Sequence, residues 1–75
     1  MYREAFPSKI KKAREDNGFT QREVAKEVKL PQSTIAKYET GKLEPSLETL
    51  GLLADFYNVS VDWLLGTNGG RNLEI

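Results

Sequence analysis

The sequence predicts an all-α fold in which five short helices form one compact domain. Apolar residues recur at intervals of three or four along most of the chain, which is the spacing of amphipathic helices. Residues that favour helix starts and stops, chiefly Ser, Thr, Pro and Gly, separate these stretches. A chain of 75 residues forms at most one domain, and 39% hydrophobic residues suffice for a small core. The predicted helices cover residues 7–17, 20–28, 32–40, 46–57 and 60–65 of a domain at 1–66, and a flexible tail follows at 67–75.

The first predicted helix begins near Pro7, because a proline at the first helical position sacrifices no intrahelical hydrogen bond. It ends before Gly18, which suits the left-handed conformation common just after a helix. Phe6, Ile10 and Ala13 lie at helical spacing and mark the inner face.

A capping box starts the second helix. The Thr20 hydroxyl can accept from the Glu23 N–H while the Glu23 carboxylate reaches back to the Thr20 N–H. The apolar stripe of this helix consists of Val24, Ala25 and Val28. Pro31 is poorly compatible with a continuing helix, but it fits just before the next one.

The third helix has a narrow inner face, because only Ile35 and Tyr38 are obvious core residues before the stop at Gly41. Four polar side chains are therefore left to point elsewhere: Gln32, Ser33, Thr34 and Lys37. Ser46 and Ser60 are expected to cap the fourth and fifth helices. Asn58 and Gly66 are expected to end them.

Composition excludes several classes of function. Without cysteine or histidine the chain has no disulfide, no usual zinc ligand and no histidine general base, so no metal or cofactor is expected. There is no Gly-rich phosphate loop and no obvious carboxylate pair, which argues against an enzyme. No apolar run is long enough for a membrane span and no signal peptide is evident, so we expect a cytoplasmic protein.

Charge is neutral in total but unevenly distributed. Residues 1–42 hold ten Lys and Arg against six Asp and Glu, a net charge of +4, whereas residues 43–75 have a net charge of −4. Such polarity could place a positive face on phosphates, although ordinary solvated helix surfaces explain it equally well. Charge alone therefore does not distinguish a nucleic-acid-binding face from an ordinary solvated surface.

Residues 20–41 have the spacing of a helix-turn-helix, two short helices with a three- or four-residue break between them. In that motif the second helix lies in the major groove of DNA, and its first side chains face the base edges. Gln32 can bond adenine, Ser33 and Thr34 can bond several bases, and Lys37 can reach guanine or a phosphate. The alternative is that these polar residues merely cap and solvate a small helix.

A longer series of motifs resembles the phage repressor and Cro family, also called the XRE family. The series runs from Phe6 to Leu65 and comprises Ile10 and Arg14, Gly18-Phe19-Thr20-Gln21, Val24-Ala25, the run from Ser33 to Lys42, Pro45-Ser46-Leu47-Glu48-Thr49-Leu50, and Val59-Ser60-Val61-Asp62-Trp63-Leu64-Leu65. Each motif is weak alone, but together they cover most of the chain in order.

The resemblance implies roles for individual residues. Gln32, Ser33 and Lys37 match the base-reading positions, with Thr34 beside them, and Gln21 matches a glutamine that binds a phosphate and orients the first recognition glutamine. The residues implied at the DNA backbone are Thr20, Gln21, Tyr38, Thr40 and Lys42. Arg14 and Glu39 match an internal ion pair between the first and third helices, although Arg14 could also lie near a phosphate.

The resemblance also implies a homodimer on double-stranded DNA. Val59, Val61 and Trp63 match the segment that meets its twin in related repressors, although Trp63 could equally pack in the core. Three residues depart from the pattern of this family. Glu44 should repel phosphate, Pro31 leaves the third helix without a side-chain cap, and Ser33 is short enough to need a bridging water.

We therefore expect a homodimeric regulator that represses transcription by occupying a palindromic operator. The alternative is a protein-binding module or an antitoxin with the same fold, in which DNA binding is weak or secondary. A toxin or an inducer as a partner is left open, because a phage repressor, an antitoxin and a regulator of a restriction system would share one DNA surface.

Overall fold

The computed structural model of the chain describes residues 2–67, with side chains from residue 4 onward. It contains five helices: α1 (Tyr2–Asp16), α2 (Gln21–Val28), α3 (Gln32–Thr40), α4 (Leu47–Tyr57) and α5 (Val61–Leu65). The described residues contain no strand, so the predicted all-α class is confirmed. Residues 68–75, where we expect a flexible tail, lie outside the described residues.

The predicted start of the first helix is wrong. Helix α1 begins at Tyr2, five residues before the predicted start, and Pro7 lies inside it. A proline there removes one intrahelical hydrogen bond and crowds the carbonyl four residues earlier. The additional turn is nevertheless held by packing, because Phe6 is buried and its ring makes an edge contact with Tyr38 at 6.5 Å between centroids. Such a distant contact leaves no local signal in the sequence.

Side-chain caps start three of the helices. The capping box before α2 is complete, with the Glu23 N–H donating to Thr20 Oγ1 at 3.1 Å and the Thr20 N–H donating to Glu23 Oε1 at 2.8 Å. Ser46 and Ser60 accept from backbone N–H groups in the first turns of α4 and α5, which confirms both predicted caps. Pro31 precedes α3 without a side-chain cap, also as predicted.

Left-handed residues end the helices. Gly18, Gly41 and Gly66 all have a positive φ, which glycine adopts without the steric cost of a Cβ atom. Asn58 ends α4 in the same conformation, as predicted. Lys29 does so after α2 with a φ of 60°, which the sequence did not suggest because lysine is unusual in this region.

One core joins all five helices. Its buried residues are Phe6, Ile10, Ala13, Val24, Ala25, Val28, Ile35, Tyr38, Leu50, Leu53, Ala54, Tyr57, Val59 and Leu64. Phe19, in the loop after α1, stacks on Phe56 of α4 with 5.1 Å between ring centroids. Within residues 2–67, no helix has the length and apolarity that a membrane crossing requires.

Candidate nucleic-acid interface

Helical periodicity separates the residues of α3 into a buried side and an exposed side. At 100° per residue, Ile35 and Tyr38 fall on one side, and both are buried. Gln32, Ser33 and Lys37 fall on the opposite arc, about 140° wide, and all three are exposed. Three of the four predicted base-reading residues therefore share one solvent-facing surface, which we call the α3 outer arc.

Thr34, the fourth predicted base-reading residue, lies at the edge of this surface. It is half-buried, about 60° beyond Lys37 toward the core side of the helix. Half-buried Ala36 and exposed Thr40 lie within the α3 outer arc, between Gln32 and Lys37. Ala36 was not predicted as a site residue, although its helical spacing from Gln32 places it on the same surface. A small side chain at the middle of the arc leaves room for close approach.

The N-terminus of α3 exposes backbone donors. The N–H groups of Thr34 and Ile35 donate to the Pro31 carbonyl, whereas those of Gln32 and Ser33 have no acceptor within residues 2–67. Unsatisfied N–H groups and the helix dipole make such an end favourable for an anion. The first N–H groups of any α-helix lack intrahelical partners, and the side-chain caps of α2, α4 and α5 engage the third N–H rather than these two.

A largely buried ion pair fixes α3 against α1. Arg14 Nε donates to Glu39 Oε2 at 2.7 Å and Arg14 Nη2 donates to Glu39 Oε1 at 3.0 Å, a bidentate geometry. Arg14 Nη1 donates to the Phe19 carbonyl at 2.9 Å, which also ties the guanidinium to the loop before α2. The side chains of Arg14 and Glu39 are only 12% and 3% exposed. The pair therefore sets the position of the C-terminal half of α3.

The ion pair keeps its charge but adds little positive potential to the surface. The hydrogen bond to Glu39 raises the pKa of Arg14, whereas burial acts in the opposite direction. Three guanidinium nitrogens are engaged inside the protein, which favours the structural role of Arg14 over contact with a phosphate.

Gln21 takes part in the same network. Its Nε2 donates to Glu39 Oε1 at 3.0 Å, so that α2, α3 and α1 meet at one carboxylate. The expected orienting role of Gln21 toward Gln32 stays a prediction; no hydrogen bond joins the two side chains within residues 2–67. The reason is that the strongest acceptor near Gln21 is the buried carboxylate, a charge-assisted partner.

The remaining residues expected at the DNA backbone differ in what they can offer. Thr20 is exposed, and its hydroxyl oxygen accepts the cap bond while its proton remains available. The Thr40 hydroxyl donates to the carbonyls of Ala36 and Lys37, so its proton is already used inside α3. Lys42 is exposed just after α3.

Tyr38 combines a core ring with an accessible hydroxyl. The residue is buried, and burial raises its pKa. Its hydroxyl makes no hydrogen bond within residues 2–67, yet no buried side-chain oxygen there lacks a partner. The hydroxyl must therefore reach the surface, where a phosphate could contact it.

The three residues of the predicted dimer segment differ in how deeply they are buried. Val59 is 1% exposed and packs in the protomer's own core between α4 and α5, which leaves it almost no surface for a second chain. Its assignment to a dimer interface stays a prediction. Val61 and Trp63 are half-buried and keep some exposed surface, and Lys9 Nζ lies 5.0 Å from the centroid of the Trp63 ring.

A contact at the ends of α1 and α4 was also missed by the sequence analysis. Asn17 Nδ2 donates to the carbonyls of Ala13 and Tyr57, at 2.8 Å and 3.2 Å. It thereby braces the α1 terminus that carries Arg14. Within residues 2–67, no group of three acidic side chains is arranged to hold a metal ion.

Comparison with known proteins agrees with this geometry. Residues 10–64 match the model of a family described as helix-turn-helix. The chain is 38% identical over 58 residues to the HTH-type transcriptional regulator ImmR of Bacillus subtilis (strain 168), an alignment that covers 77% of this chain and 46% of that protein. It is 37% identical over 70 residues to the SPbeta prophage-derived uncharacterized HTH-type transcriptional regulator YonR of the same strain, covering 92% and 65%.

A third relative comes from another organism. The chain is 39% identical over 56 residues to the cryptic phage CTXphi transcriptional repressor RstR of Vibrio cholerae, covering 75% of this chain and 50% of that protein. The chain thus spans about half to two thirds of the length of these relatives.

Proposed function

Because the chain belongs to the helix-turn-helix family, we propose that it is a sequence-specific DNA-binding protein that represses transcription as a homodimer. The observation that carries the proposal is the α3 outer arc, where Gln32, Ser33 and Lys37 are exposed together on a helix held in place by a largely buried ion pair. A recognition helix needs both properties, since base contacts require donors held in fixed positions.

Each of the three side chains suits a particular base contact. Gln32 at the first position of α3 can bond adenine N6 and N7 in a bidentate manner, and Lys37 can donate to guanine O6 and N7. Ser33 is short and reaches a base directly or through water. Thr34, at the edge of the arc, would offer a methyl group to thymine.

Phosphate contacts would position the helix on the duplex. The donors that support this role are the exposed Lys42 ammonium, the Thr20 and Tyr38 hydroxyls, and the N–H groups of Gln32 and Ser33. Such contacts fix register and orientation without reading sequence. The net charge of +4 on residues 1–42 favours approach from the side of the first three helices.

Specificity would come from two copies. One helix-turn-helix contacts few base pairs, and each mismatch costs only about 1–3 kcal/mol, so a two-fold dimer on half-sites about 34–36 Å apart is required for a selective site. The exposed parts of Val61 and Trp63 are the candidate contact between the copies. Occupation of a palindromic operator would exclude the transcription machinery, and the similarity to the phage transcriptional repressor RstR supports repression.

Two substitutions distinguish base reading from charge attraction on a duplex selected by the wild-type protein. Gln32→Ala should weaken binding to that duplex by about tenfold and relax preference at one base pair, because it removes one bidentate contact of about 1–3 kcal/mol. Lys42→Ala should weaken specific and random duplexes alike and reduce the salt dependence of binding by about one phosphate contact.

Fluorescence anisotropy at several salt concentrations measures both effects. Lys11→Ala, an exposed lysine on α1, is the charge-matched control. If Gln32→Ala leaves both affinity and base preference unchanged, α3 does not read the bases. Far-UV circular dichroism must show that each variant is folded.

A protein-binding role is the second candidate, and the observations that favour it are the neutral total charge and the acidic Glu44 beside Lys42. It predicts that random duplex DNA yields no enriched sequence.

A further inference from the structure

The outer surface of α4 has properties that its own protomer does not use. At 100° per residue, Leu47, Gly51, Asp55, Glu48 and Leu52 follow one another over an arc of about 140°, opposite the buried Leu50, Leu53, Ala54 and Tyr57. Leu47 is 87% exposed and Leu52 is 47% exposed, one at each edge of the arc. We call these five residues the α4 outer face.

Gly51 lies on this face, although no contact within the protomer requires a glycine there. It occupies the middle of an 11-residue helix, where glycine is less favourable than alanine, and its φ is not in the left-handed region. A Cβ atom built there would meet nothing within 4 Å. The protomer therefore gains nothing from the glycine, whereas a bare backbone between two exposed leucines would let another molecule approach closely.

The charge of the face indicates what kind of molecule fits. Glu48 and Asp55 lie between the two leucines, and neither forms an ion pair with residues 2–67. Residues 43–67 contain four acidic residues and no Lys or Arg. A second copy docked here through its own α4 would bring Glu48 and Asp55 of both copies into one contact, and like charges oppose that arrangement. A partner with lysine or arginine beside apolar side chains would instead satisfy both features.

We propose that the α4 outer face docks a basic amphipathic helix of another protein. Its apolar residues would pack on Leu47 and Leu52 across Gly51, and its basic residues would pair with Glu48 and Asp55. The partner helix would be recognised by apolar contacts at the two edges of the face and by charge complementarity between them. The surface does not overlap the α3 outer arc, and the proposal does not depend on DNA binding.

The test uses ¹⁵N-labelled protein, without DNA, and a synthetic helical peptide of about 18 residues with leucines on one face and lysines beside them. Amide shifts should change in a saturable manner and concentrate at residues 47–55. The same peptide with glutamate in place of every lysine should bind at least about tenfold more weakly, because like charges then meet.

Variants separate the face from general attraction between opposite charges. Leu47→Ser with Leu52→Ser should weaken binding about tenfold while the amide spectrum stays folded, because both side chains are exposed. Glu48→Lys with Asp55→Lys should abolish binding, whereas the charge-matched control Glu15→Lys with Glu27→Lys, on α1 and α2, should retain it.

Three results would overturn the proposal. One is the absence of localised, saturable shifts at residues 47–55 at millimolar peptide. Another is equal weakening by the control pair of lysine substitutions. The third is a loss of the homodimer in sedimentation of Leu47→Ser with Leu52→Ser, which would assign the face to a second copy of this chain.

Discussion

Removal of the Arg14 side chain should cost this protein a large part of its stability. Arg14→Ala removes the cationic partner of Glu39, whose side chain is 3% exposed in the intact protein, and leaves the Gln21 amide as the remaining hydrogen-bond donor to it. Loss of one member of a buried pair typically costs about 3–5 kcal/mol, because the other charge stays desolvated. We expect the lower end of that range, since Arg14 is 12% exposed and water can partly replace it.

That loss is large relative to the total free energy of unfolding of the protein. A chain of this length is expected to have a free energy of unfolding of about 4–11 kcal/mol. With a urea m-value of about 1 kcal/mol per molar for so small a domain, the midpoint of unfolding should fall by about 3 M. Unfolding in urea, followed by far-UV circular dichroism and by Trp63 fluorescence, measures this directly.

Helix α1 also provides the matched control. Lys12 forms an ion pair with Asp16 at 3.6 Å, but these side chains are 60% and 38% exposed. Lys12→Ala should therefore cost only about 0.3–0.5 kcal/mol. Equal midpoints for Arg14→Ala and Lys12→Ala would refute the argument that burial of the pair determines its importance. Arg14→Met with Glu39→Leu should be less destabilised than Arg14→Ala, because no charge is then left behind.

Three further predictions concern stability. Thr20→Ala removes the cap of α2 and should lower the free energy of unfolding by about 1 kcal/mol in urea titrations; an unchanged midpoint would show that the capping box is dispensable. Gly51→Ala fills open space on α4 and should raise it by about 1 kcal/mol, seen as a melting temperature higher by roughly 4–8 °C, whereas a lower one would reveal an unseen clash. Burial raises the pKa of Tyr38 and, together with the charge of Glu39, that of Tyr57. Tyrosines in the unfolded chain lose their protons near pH 10, whereas Tyr38 and Tyr57 in the folded protein still hold theirs. The stability that is present below about pH 10 should therefore be lost above it. Substitution of both tyrosines by Phe should flatten that decline.

The features that could be predicted from sequence are local ones. The capping box of Thr20 and Glu23 and the stop at Gly41 depend on residues within one turn, so a short motif specifies them. The α3 outer arc is similarly local, because helical spacing alone separates Gln32 and Lys37 from the core.

The features that escaped prediction depend on contacts between distant segments. The start of α1 at Tyr2 depends on the packing of Phe6 on Tyr38. The sequence around Pro7 does not indicate this contact. Val59 looked available to a second chain, but its burial depends on how α4 and α5 close on the core. The Gln21 amide is directed by Glu39, 18 residues away.

The exposed leucines of α4 also show that helical spacing alone does not predict burial. Leu47 lies three residues before the buried Leu50, a spacing that would assign it to the core from sequence alone, yet it is 87% exposed. The helix starts at this residue, so it lies beyond the edge of the surface that α4 buries. Periodicity identifies the inner face of a helix but not how much of that face the neighbours cover.

Selection of bound sequences from random duplex DNA at physiological salt shows directly whether the α3 outer arc reads DNA in a two-fold dimer. We expect a palindromic consensus whose half-sites are centred about 10 base pairs apart, with adenine or guanine positions that lose their preference in Gln32→Ala and Lys37→Ala. No enriched sequence, or a consensus indifferent to both substitutions, would contradict it.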